Sequence, residues 1–83
     1  MDKQSSSYQI TYNLVRQVEK LLLNKYGVKV VGMFTDKVAP ITIALSFTTE
    51  RKAERLVYTA EEIMKGIKPE SIVAILEEKF GLL

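Results

Sequence analysis

The sequence predicts a small α+β domain with the element order α-β-β-α-α, an antiparallel β-hairpin packed against helices. Two observations predict it. Apolar residues recur at three-to-four spacing over residues 6–26, change to a period of two in the two runs 28–35 and 41–48, and return to helical spacing from 49 onward. The chain has 83 residues, of which 47% are hydrophobic and 27% charged, which suits one core in one domain spanning 1–83.

Residues 1–6 are polar and expected to fray. A serine of the Ser5-Ser6-Ser7 run then caps the first helix, since its hydroxyl can accept from a free N–H of the first turn. Ile10, Leu14, Val18, Leu21 and Leu22 form one helical stripe, and Tyr8, Tyr12, Val15 and Leu22 an adjoining one. The combined apolar arc is wide enough to be touched on two sides. Lys25 and Gly27 end the helix near 26, the lysine by complementing the dipole and the glycine by accepting a left-handed backbone.

The hairpin follows. Val28, Val30, Gly32 and Phe34 alternate with Lys29, Val31, Met33 and Thr35. Asp36 to Pro40 is the connection. Ile41, Ile43, Leu45 and Phe47 then alternate with Thr42, Ala44, Ser46 and Thr48, the cleanest strand pattern in the chain. The large set is the inner face, to be covered by the first and second helices.

From 49 the spacing of Ala53, Leu56, Val57, Ala60, Ile63 and Met64 reads as the seam of a second helix over about 49–65, capped by Thr48 or Thr49. Gly66 stops it. Pro69 opens a third helix over about 69–80, with Ile72, Val73, Leu76 and Phe80 as its buried stripe and Gly81 at its end.

Composition excludes more than it assigns. The chain contains neither histidine nor cysteine, which removes thiol nucleophiles, imidazole bases, disulfides and the usual zinc and haem ligands. No catalytic or cofactor-binding motif is present, so neither an enzyme nor a cofactor is expected. The adjacent pairs Glu61-Glu62 and Glu77-Glu78 splay apart on a helix and read as solvated faces. The four tyrosines read as core-boundary residues with wet hydroxyls. No apolar run approaches the roughly 20 residues of a membrane span, and residues 1–7 lack a signal-like apolar segment. A cytoplasmic protein without a membrane partner is therefore expected.

Two surfaces are candidates for function. If Ile41, Ile43, Leu45 and Phe47 face inward, then Thr42, Ala44 and Ser46 face outward, beside either Val31, Met33 and Thr35 or the set containing Val28, Val30 and Phe34, both apolar; the candidate interface is Val31, Met33 and Thr35 with Thr42, Ala44 and Ser46. The first strand then has no clearly wet face and carries no protective charge or proline at its edge. Either the third helix covers that surface, giving a three-layer monomer, or a second chain does. The reading taken is a non-enzymatic protein-binding module (a regulator, inhibitor or assembly accessory) that forms a homodimer through the hairpin. The alternative uses Arg51, Lys52 and Arg55. At the start of a second helix, beside threonines and free N–H groups, they resemble a phosphate patch for a nucleic-acid-binding regulator. Glu50 and Glu54 dilute that patch, the net charge is only +2, and the third helix is acidic where a base-reading helix is basic.

Overall fold

The computed structural model describes residues 3–38 and 42–83. The elements are α1 (Lys3–Tyr26), β1 (Val31–Val38), β2 (Thr42–Thr48), β3 (Ala53–Thr59), α2 (Ala60–Lys65) and α3 (Pro69–Lys79). The three strands form an antiparallel sheet in the order β1-β2-β3. The α+β class and the hairpin packed on helices agree with the sequence reading; the third strand was not foreseen.

That strand is the main correction. Residues 53–59 were expected in the second helix, yet they pair along their whole length with β2, from Thr48↔Ala53 to Thr42↔Thr59. The physical reason is local and tertiary together. Leu56, Val57, Tyr58 and Thr59 favour extended backbone, and Glu54, Leu56 and Tyr58 alternate half-buried with exposed Arg55, Val57 and Thr59. Pairing also fills the far edge of β2, whose large residues lie at the centre of the core. The second helix shrinks to the six residues of α2. Its cap is Thr59 rather than Thr48 or Thr49. The Thr59 hydroxyl accepts from the Glu62 N–H (3.0 Å), and the Glu62 carboxylate accepts from the Thr59 N–H (2.8 Å), a complete capping box.

Other boundaries moved less. α1 begins at Lys3, so Ser5, Ser6 and Ser7 lie inside the helix rather than ahead of it. It ends as the sequence indicates: Gly27 takes φ +68° and its N–H donates to the Leu23 carbonyl at 2.8 Å. β1 begins at Val31 and reaches Val38, so the expected connection is partly strand; Ile41 and Pro40 lie outside the described residues.

The molecule has two layers. α1 crosses one face of the sheet over β1, α3 packs beside α1, and α2 joins α1 to β3. The core lies between them: Leu14, Val15, Val18 and Leu22 of α1, Ile43, Leu45 and Phe47 of β2, Ile63 of α2, and Ile72, Val73 and Leu76 of α3, with Val30 below. The wide α1 arc resolves into a buried stripe along Leu14, Val15, Val18 and Leu22, while Ile10, Tyr8 and Tyr12 are exposed. Because α3 lies against α1, it does not reach the other face of the sheet, and the three-layer arrangement is not the one adopted.

Candidate functional site

The side of the sheet away from the helices follows from register. Residues directly opposite in an antiparallel ladder point to the same face. Three rows therefore cross the outer face: Val31, Thr48 and Ala53; Met33, Ser46 and Arg55; Thr35, Ala44 and Val57. Thr42 and Thr59 begin a fourth. All six residues expected there from sequence (Val31, Met33, Thr35, Thr42, Ala44 and Ser46) are brought together. Val57 and Arg55 of β3 complete the surface and were missed, because their segment was read as helix.

This face has relief. The central strand presents only small side chains, with Ala44 buried and Ser46 half-buried. The flanking strands carry Met33, Val31 and Val57, which are 66%, 51% and 52% exposed. The result is a shallow trough along β2 between Val31 and Met33 on one side and Arg55 and Val57 on the other. Arg55 is the one charge on this face among the residues whose side chains are described.

The two edges of the sheet differ. On β1, Gly32 sits beneath α1. Its N–H donates to Glu19 Oε2 at 2.5 Å, and its carbonyl accepts from Arg16 Nη2 at 2.9 Å. Arg16 and Glu19 are themselves paired at 3.0 Å. This ion pair occupies the free edge of β1 at Gly32, a protection that the sequence alone does not show. Glycine is required there, because a Cβ would collide with Val15 and press on Phe47 at 3.1 Å. On β3 no comparable group is found among the described residues.

The candidate phosphate patch does not assemble. Arg51 and Lys52 lie in the β2–β3 turn and not at a helix start; Arg55 is on the outer face of β3. The turn is organised by Thr49, whose hydroxyl accepts from the Arg51 N–H (3.3 Å) and the Lys52 N–H (3.1 Å). The Arg51 and Lys52 amides are thus already bonded and not free for a phosphate. Lys52 Nζ donates to the Lys79 carbonyl at 3.0 Å. Lys29, Arg51 and Lys52 line an open cleft of about 590 Å³ over Phe80 and Leu82, with Glu50 on the same rim.

Of the paired carboxylates, Glu61 pairs loosely with Lys65 at 3.8 Å and Glu62 serves the α2 cap. Glu77 departs from the solvated reading. It is only 7% exposed and accepts from Lys25 Nζ (2.5 Å) and the Tyr26 hydroxyl (2.6 Å), joining the end of α1 to α3. The Lys25 hydrogen bond, then the Tyr26 one, holds the Glu77 carboxyl below its usual range against the opposing effect of desolvation. The same bond raises Lys25 and Tyr26. Tyr58 is also raised, by burial first and by the nearby Glu62 charge second. No group of three acidic, histidine or cysteine residues fit to hold a metal occurs among the described residues, and no helix there is long and apolar enough to cross a membrane.

Compared with known families, curated proteins and solved structures, the chain matches none.

Proposed function

We propose that the protein is a small non-enzymatic protein-binding module that self-associates and meets its protein partner on the outer face of the sheet. One observation carries this reading: Met33, Val31 and Val57, each more than half exposed, flank a trough of small residues on a face that no helix covers among the described residues. The lack of histidine and cysteine supports a binding role over a catalytic one. The scattered placement of Arg51, Lys52 and Arg55 favours protein over nucleic acid as the partner.

Size bears on how the face is used. Seven-residue strands at about 3.3 Å per residue and three strands about 4.8 Å apart give a face of about 330 Å². A stable interface needs about 800 Å² from each partner. One face alone therefore supports a weak contact, and self-association that enlarged it would strengthen the docking of a partner.

The experiment is capture of tagged protein from its native cells with nuclease treatment, run beside Met33→Glu. Protein partners retained by the unmodified chain and lost with Met33→Glu are the expected outcome. Capture that disappears on nuclease treatment, or that survives Met33→Glu unchanged, would overturn the reading.

A further inference from the structure

We infer that two copies of the chain join through their β3 edges, antiparallel about a two-fold axis at Leu56, into one continuous six-stranded sheet. This rests on the self-association in the reading above and specifies where it occurs.

The argument starts at Gly32. It stands opposite Phe47 in the β1–β2 register, yet both its N–H and its carbonyl turn to Glu19 and Arg16 of α1. Gly32 and Phe47 are therefore a pair that exchanges no ladder bonds. The backbone groups of Phe47 then face β3, where it stands opposite Glu54. By the same alternation Glu54, Leu56 and Tyr58 bond back to β2, and Ala53, Arg55, Val57 and Thr59 turn their N–H and carbonyl groups to the open side. Two hydrogen bonds agree with this phase: the Thr49 N–H reaches the Lys52 carbonyl (2.7 Å), two residues beyond the Phe47–Glu54 pair, and the Thr59 N–H is free of β2 and donates to Glu62. Among the described residues nothing bonds the outward groups of Ala53, Arg55 or Val57. The fold thus occupies one edge at Gly32 with an ion pair and leaves the other a ready ladder.

A second copy of the strand fits that ladder in one register. A two-fold axis normal to the sheet keeps inner faces with inner faces, so the axis must pass through a residue. Centred on Glu54 or Arg55, it sets like charges directly opposite, which is destabilising. Centred on Val57, it pairs Arg55 with Thr59, whose N–H is already held by Glu62. Centred on Leu56, Arg55 pairs with Val57 of the other copy and Val57 with Arg55, through outward groups that are all available. Leu56 then meets Leu56, covering two half-buried side chains, and Glu54 faces the Tyr58 hydroxyl, an acceptor opposite a donor. The joined sheet presents an outer face of about 650 Å², near the size a protein partner needs.

Light scattering and amide hydrogen exchange on the intact protein, at low and high concentration, test the proposal. The expected mass at high concentration is twice the chain's 9.4 kDa. The Arg55 and Val57 amides should slow by about tenfold or more between the two concentrations, while the Phe34 amide at the β1 edge does not change. Val57→Pro, which removes an outward N–H, should give a monomer; Met33→Glu should remain a dimer. The exchange measurement needs no variant, so misfolding of Val57→Pro would not decide the matter. A dimer whose Arg55 and Val57 amides ignore concentration would overturn the edge contact. If Met33→Glu also dissociated that dimer, the second copy would sit on the outer face. A monomer at every concentration would reject the edge and self-association together, leaving partner binding to the capture experiment.

Discussion

The two faces of β2 carry opposite assignments on one strand. Inward, Ile43, Leu45 and Phe47 are large and buried; outward, Thr42, Ala44, Ser46 and Thr48 are small and lie in a trough. Alternation lets seven residues serve two purposes without conflict, because neighbouring side chains never share a surface. Stability is concentrated on the inner face, so the outer one is free to be chosen for contact.

Substitutions can break or sharpen this contrast. The largest effect belongs to the inner face. Leu45→Ala should cost about 2–5 kcal/mol in chemical denaturation, much of what a domain this small has. A variant that kept the unmodified midpoint would contradict the burial of Leu45. Gly32→Ala comes next, at about 1–3 kcal/mol, since its Cβ would be forced against the stiff, buried Val15. An unchanged melting temperature would mean that α1 does not lie so close to β1.

Thr59→Ala should cost about 1 kcal/mol by removing the α2 cap, seen as a lower denaturant midpoint with the slope unchanged. Glu77 contributes in a limited pH window. Its carboxyl is held below the usual range when folded, so its contribution is present above the unfolded value near 4.5 and lost as pH falls through the folded one. Replacing it by Gln should flatten the acid arm of a stability profile below about pH 4.5; an acid arm identical to the unmodified one would deny Glu77 that role. Met33→Glu should change stability least, within about 0.5 kcal/mol, because the side chain is already in water. A large loss would place Met33 in the core and remove the contrast altogether.

How much of this was legible in sequence follows the same division. β2 could be read because its alternation is strict and its large set is uniformly apolar. β3 could not be separated from a helix: Ala53, Leu56, Val57, Ala60, Ile63 and Met64 fit three-to-four spacing, while only Leu56 and Tyr58 mark the strand period. One local signal was available. Thr59 followed three residues later by Glu62 is a capping-box pattern that starts the helix at Ala60. The outer face was legible on β1 and β2, and Val57 and Arg55 were hidden by the same misassignment. The ion pair at the β1 edge had no local signal, since Arg16 and Glu19 meet Gly32 only after α1 has docked.

The contact of Lys25 and Tyr26 with Glu77 has a consequence for synthesis. More than fifty residues separate these partners, and α3 supplies Ile72, Val73 and Leu76 to a core begun by α1. A ribosome delivers α1 well before the helix that packs beside it. Until residue 77 has cleared the exit tunnel, the side of α1 that packs on α3 lacks its cover, and the nascent chain presents sticky surface to any holding chaperone. Chains arrested on C-terminal extensions of increasing length should therefore be protease-sensitive up to the emergence of α3 and abruptly resistant after it. Resistance gained with β3 alone would show that the core closes without its last helix.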